Sequence, residues 1–203
     1  ARRVITFKDA MACIPKGFNA MVPAILILTF ATALKNMTNL LGASVFIGGL
    51  MEHTLSVARL CDYMAFAYPV IKRDMLITAA LLHDVGKTRE LSPFPLNDYT
   101  DEGQLIGHIV IGVEMIDDAI RSIPDFPVKL AHELKHCIVA HHGELEYGSP
   151  KKPALAEAVA LNMADSTDAK LQTLTELFKG KTGTEWLGYN RLFESNLRRA
   201  SED

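Results

Sequence analysis

Apolar residues recur at intervals of three and four along most of the chain, the spacing of amphipathic helices rather than of alternating strands. The pattern predicts helices over about residues 18–36, 50–67, 73–83, 102–120, 127–142, 153–178 and 185–198. Turn-forming runs separate them: Tyr68-Pro69, the segment Ser92 to Pro95, Pro124 to Pro127, Gly143 to Pro153, and Gly180 to Gly183. No repeat or low-complexity tract interrupts the series. The expected class is all-α, a helical bundle over residues 41–203 with a C-terminal helical extension. Residues 1–40 are expected to form an N-terminal segment whose apolar helix packs on the bundle or leads into it.

The most apolar run, AMVPAILILTFATAL at 20–34, contains Pro23 and falls short of the ~20 residues that span a bilayer. No small-residue cleavage site follows it, so a buried helix is expected and no membrane association. Apolar residues make up 49 % of 203, ample for one core, and the net charge of −3 gives no global attraction to nucleic acid. Basic groups occur only locally, at Lys151-Lys152, Lys179 with Lys181, and Arg198-Arg199. Cys13, Cys61 and Cys137 are odd in number, widely spaced and set among apolar neighbours. Reduced, packed thiols in a cytoplasmic protein are the expectation.

Most of the candidate chemistry is carried by histidine. His132-Glu133-Leu134-Lys135-His136 has the H-E-x-x-H spacing of zinc peptidases. With about 100° per helical residue, His136 lies roughly 40° from His132, whereas Leu130, Leu134, Cys137 and Ile138 cluster near the opposite side. The peptidase-like pair is therefore expected on the solvated face. His141 falls at about 180°, within the apolar stripe, with His142 at its edge before Gly143.

Three other ionisable residues also face inward by phase. His53 lines up with Val57, Leu60 and Met64; His108 with Ile111, Gly112, Met115 and Ala119; Asp165 with Ala158, Leu161 and Ala169. A single inward His or Asp is more often a hydrogen-bonded core residue than a ligand. Four helices each presenting one is different, because several buried ionisable groups need a common compensating charge. A metal cluster supplies it. The stretch Leu81-Leu82-His83-Asp84-Val85-Gly86-Lys87 adds a His-Asp pair where an apolar helix ends, so that both side chains can converge on one centre.

The order His53, His83-Asp84, His108, His141-His142, Asp165 resembles the HD-domain superfamily of metal-dependent phosphohydrolases. Within it, GGLMEHT at 48–54, LLHDVGK at 81–87, YTDEGQLIGHI at 99–109, HHGELEYGSPKKP at 141–153 and ADSTDAK at 164–170 are similar to bacterial 3′–5′ exoribonucleases of the YhaM type. The likeness covers about residues 40–175, with a weaker echo from Trp186 to Arg199. It implies two divalent ions, drawn from Mn²⁺, Fe²⁺, Co²⁺ and Zn²⁺ by the nitrogen and oxygen donors. One takes His53, His83, Asp84 and Asp165; the other takes Asp84 as a bridge with His108, His141 and His142. Such a pair activates water as hydroxide and clamps the oxygens of a phosphodiester, so the implied activity is that of a phosphodiesterase or 3′–5′ exonuclease.

Beside the ligands, Asp84 and Lys87 are expected to carry catalysis, with Lys87 offsetting charge on a phosphate oxygen. Asp168, one helical turn beyond Asp165, is a candidate support behind the ligands. Tyr99 and Tyr147 can stack on bases, Glu146 can meet a sugar and Lys151 a phosphate. Expected substrates are single-stranded RNA or DNA or short oligonucleotides. That branch usually carries an N-terminal OB-fold, whose pattern residues 1–45 lack, so the expectation is either a piece of a longer chain or a relative acting on smaller substrates. The competing functions are an HD-type di-iron oxygenase and a metal-stabilised regulatory module without catalysis.

Overall fold

The computed structural model describes residues 46–93, 96 and 98–201. The helix expected at 18–36, the boundary at residue 40 and Cys13 lie outside the described residues. Those described form helices α1 (Phe46–Ala67), α2 (Arg73–Leu82), α3 (Lys87–Glu90), α4 (Asp101–Leu105), α5 (His108–Arg121), α6 (Val128–Val139) and α7 (Ala156–Phe178). A 3₁₀ turn spans Leu145–Tyr147, and β1 (Tyr189–Asn190) pairs antiparallel with β2 (Ser195–Asn196). The protein is mostly helical, as the periodicity predicts.

Helices α1, α2 and α7 pack on one another, α6 closes the bundle against α2 and α7, and α5 lies on α6. Their shared core contains Val57 and Cys61 of α1, Leu76, Ala79 and Ala80 of α2, Cys137 and Ile138 of α6, and Ala158, Leu161 and Ala164 of α7. The run of alanines on α2 and α7 lets the axes approach closely, and aliphatic side chains fill the remainder. Cys61 and Cys137 are free and buried, and burial pushes both thiols up to about 12. Among the described residues no helix is long and apolar enough to cross a membrane.

Four elements differ from the pattern. The single helix expected over 102–120 is two, because Gly107 (φ 80°) turns the chain in a backbone region that side chains disfavour and α5 restarts at His108. The helix expected over 127–142 stops at Val139, leaving His141 and His142 in the turn beyond it. Leu130, in phase with the apolar stripe, is exposed because it sits in the first turn of α6, where Ala131 is buried instead. The helix expected over 185–198 is a short β-ribbon. Gly188 takes φ 92° there, and the Leu187 N–H donates across the ribbon to the Leu197 carbonyl. Helix α3 had no periodic signal, being too short to show one.

Candidate metal centre

Five separate segments bring His53, His83, Asp84, His108, His141, His142 and Asp165 together. His53 comes from α1, and His83 and Asp84 from the turn that ends α2. His108 opens α5, His141 and His142 follow α6, and Asp165 lies on α7. The α2 turn can reach α5 only because residue 86 is glycine. A Cβ there would lie 2.0 Å from the His108 carbonyl oxygen and 2.7 Å from the Gly112 nitrogen. The turn carrying His83-Asp84 thus rests directly on the backbone that carries His108.

Each of the five imidazoles is anchored through Nδ1. The partner is an Asp168 carboxylate oxygen for His53 (2.7 Å), the Ala80 carbonyl for His83 (2.8 Å) and Glu90 Oε1 for His108 (3.0 Å). For His141 it is the Ile138 carbonyl and for His142 the Tyr147 carbonyl, both at 2.7 Å. Carbonyls and carboxylates only accept, so each Nδ1 carries a proton and each Nε2 is left facing inward, the arrangement of metal-ligating histidines.

The inward atoms form two groups. Donor atoms of His53, His83 and Asp165 lie within 4.8 Å of one another, as do those of His108, His141 and His142. Asp84 stands between them. Its Oδ2 is 3.3 Å from His83 Nε2 and 3.7 Å from His53 Nε2, while its Oδ1 is 3.6 Å from His108 Nε2 and 3.7 Å from His141 Nε2.

The donors fit divalent ions. Asp84 Oδ1, His108 Nε2 and His141 Nε2 are buried without a hydrogen-bond partner, a costly state for polar atoms unless a cation takes their lone pairs. His83 Nε2 and His53 Nε2 face each other at 3.3 Å. Were both rings neutral, two lone pairs so placed would repel; a bound cation, or a proton on His53 Nε2 directed at Asp165 Oδ1 3.1 Å away, relieves this. Imidazole and carboxylate without thiolate suit the middle first-row metals.

A family model for the HD domain matches residues 50–170. The chain belongs to the HD domain family. Among curated proteins it is 40 % identical over 134 residues to the 3′–5′ exoribonuclease YhaM of Listeria innocua, covering 66 % of this chain and 42 % of that protein. The Bacillus subtilis YhaM is 39 % identical over 129 residues, covering 64 % and 41 %. The chain therefore spans about two fifths of the length of these relatives. No solved structure matches.

Electrostatics in the HD domain follow from the burial of opposed charges. Burial by itself would raise the Asp84 carboxyl, but His83 and then Lys87 outweigh it and hold the group well below the usual carboxylate range. Lys87 Nζ donates to Asp84 Oδ2 at 2.7 Å. Asp165 is lowered likewise, burial opposing and the His53 hydrogen bond leading the causes that prevail. His53, hydrogen-bonded to Asp165 and flanked by Asp168, is raised despite its burial. His141 is pushed down to about 3, by burial first and then by the His83 and His142 charges.

Asp168 accepts from His53 Nδ1 and also from Ser56 Oγ. The side chains of Tyr99, Glu146, Tyr147 and Lys151 are exposed and make no hydrogen bond or ion pair with the seven clustered residues. Tyr147 touches the HD centre through its carbonyl alone. His132 is exposed, and His136 accepts the Ala154 N–H at 2.9 Å, a structural contact away from the cluster.

Sequence reasoning missed three supports. Glu90 holds His108, Ser56 holds Asp168, and the Asn162 amide donates to the His141 carbonyl at 2.8 Å. Ser56 and Asn162 stand three residues from His53 and Asp165, so helical spacing was a usable signal for both.

Proposed function

We propose that this HD domain is a metal-dependent phosphodiesterase of the 3′–5′ exonuclease type, acting on single-stranded RNA or short oligonucleotides. The observation that carries the reading is the Asp84 carboxylate, with one oxygen turned to each histidine group. His53, His83, Asp84 and Asp165 would hold one divalent ion, and Asp84, His108, His141 and His142 a second. Such ions, when bound, supply Lewis-acid stabilisation of a phosphoryl group and acidify water.

The protein's own groups do the rest. Asp168 fixes the ring of His53, and the Ala80 and Ile138 carbonyls fix those of His83 and His141. Lys87, partly exposed while bonded to Asp84, can swing to a non-bridging phosphate oxygen, where its charge counts most as negative charge develops. Tyr99 and Tyr147 offer stacking faces on exposed loops, Glu146 a carboxylate for a sugar hydroxyl, and Lys151 a cation for a flanking phosphate. The name of the YhaM relatives, 3′–5′ exoribonucleases, favours RNA among phosphodiesters. Free, buried Cys61 and Cys137 accord with a reducing, cytoplasmic setting.

The test is Mn²⁺-dependent, stepwise shortening of 5′-labelled single-stranded oligonucleotides with release of nucleoside monophosphates from the 3′ end. His83→Ala and Asp84→Asn should each abolish it while circular dichroism shows a folded chain. A metal-loaded protein that turns over neither RNA, DNA nor cyclic dinucleotides would overturn the proposal.

A further inference from the structure

Four of the five anchored histidines are held by groups whose place the helical phase or the local chain explains. Backbone carbonyls three to five residues away serve His83, His141 and His142, and Asp168 lies one turn from Asp165 on α7. His108 is different. Its anchor is a buried carboxylate, Glu90, eighteen residues earlier in the chain. One oxygen of that group, Oε1, accepts both the His108 Nδ1–H at 3.0 Å and the His108 backbone N–H at 2.9 Å.

The double contact fixes two things at once. The backbone bond satisfies the first donor of α5, whose Gly107 N-cap has no side chain to offer. The ring bond sets the proton on Nδ1 and aims Nε2 at Asp84 Oδ1, 3.6 Å away. Glu90 is itself clamped. Its carbonyl accepts the Thr100 N–H at 2.9 Å, while the Thr100 hydroxyl donates to the neighbouring Arg89 carbonyl at 2.8 Å. Gly103 rests so close to the Glu90 backbone that a Cβ would lie 2.1 Å from the Glu90 carbonyl oxygen. A buried carboxylate carried on backbone held this firmly, with a single imidazole as its side-chain partner, has a positional job.

We infer that Glu90 is the positioning residue for the His108, His141 and His142 half of the centre, setting the tautomer and direction of His108. The inference rests on the two-ion reading above but concerns one half of it. Asp168, through His53, is its counterpart on the other half. A carboxylate behind a ligating histidine is typically worth about 10–100-fold in metal affinity.

The experiment compares the full chain with Glu90→Ala, Glu90→Gln and Asp168→Ala by two readouts. The first is ¹⁵N–¹H NMR of the imidazoles in chelator-treated protein. His108 should carry its proton on Nδ1 in the wild type and lose that preference in Glu90→Ala, with His53 unchanged. In Glu90→Gln the tautomer should persist and the Nδ1–H resonance move upfield, since an amide oxygen is a weaker acceptor than a carboxylate. The second readout is Mn²⁺ titration. Glu90→Ala should weaken one of two ions by about 10–100-fold, and Asp168→Ala should weaken the other.

A folded Glu90→Ala with an unchanged His108 signal, or with both ions bound at wild-type affinity, would overturn the inference. If Glu90→Ala does not fold, an unmoved His108 resonance in Glu90→Gln overturns it equally. Wild-type protein that binds fewer than two ions would instead count against the two-ion reading, with the tautomer measurement still deciding the role of Glu90.

Discussion

At the scale of single residues, the centre is a problem in proton and charge balance. Asp84 is nearly wholly buried and its Oδ1 has no hydrogen-bond donor, yet His83 and Lys87 keep it ionised. Asp84→Asn keeps the shape and removes the charge that both histidine groups share, so it should lose bound metal, read as metal per chain after dialysis. Protonation follows a definite sign. His108 and His141 are both lowered from 6.5, His141 to about 3, and burial is the largest cause for each. Below an unfolded pKa of ~6.5 the unfolded chain takes protons on both more readily than the folded chain does, so stability falls as pH drops. His53 is raised, so its contribution is complete below that pKa and lost only as pH rises through its folded value. It therefore does not offset the acid-side loss. Chelator-treated protein should lose at least one proton's worth of stability between pH 6.5 and pH 5, about 1.4 kcal/mol per pH unit. A melting temperature that stays level or climbs towards pH 5 would contradict this assignment.

At the scale of elements, backbone approach decides where the ligands sit. Gly86 has ordinary helical dihedrals, so conformational freedom is not its purpose; space is. The atoms a Cβ would strike, His108 O and Gly112 N, are backbone and cannot rotate away. Gly86→Ala must push α5 from the α2 turn, and overpacking of this kind costs about 1–3 kcal/mol. The expected readout is a drop of roughly 3–10 °C in Tm, together with weakened binding at the His108 half. An unchanged Tm and ion count would show that the turn has slack. These breaks also mark how far the sequence was legible. Inward phase found His53 and Asp165 because α1 and α7 run regularly through those positions, and His108 because α5, which it opens, keeps it in phase with Ile111 and Gly112. His141 was reached by the same phase, although α6 ends at Val139, because the turn continues the helical sense for two more residues. Glu90 was not legible, since its link to His108 is a tertiary contact between a four-residue helix and the start of another. The ribbon at 189–196 was not legible either. Its apolar spacing imitates a helix, while its fold is settled by Gly188 and cross-strand hydrogen bonds.

At the scale of the whole molecule, the hydrophobic core and the centre are built on the same segments. Val57 follows His53 by one helical turn, Ala80 precedes His83, Ile138 and Ala140 precede His141, and Ala164 adjoins Asp165. The core brings ionisable side chains from five segments into contact, and the opposition among them resists that assembly. Ions bound only by the folded arrangement shift the balance by mass action. A single site at a hundredfold excess over its Kd adds about 2.7 kcal/mol. For a chain of this size that is roughly 5–10 °C in Tm. Chelation should therefore lower Tm by at least this amount, and Mn²⁺ should restore it. His83→Ala, which removes a donor packed against Ala80, should blunt the restoration without abolishing it, because the His108, His141 and His142 group remains. His132→Ala, by contrast, should leave it whole, since His132 is exposed and outside both groups. Loss of the Mn²⁺ response in His132→Ala would return the chemistry to the peptidase-like pair, and the division of the histidines by helical face would fall with it.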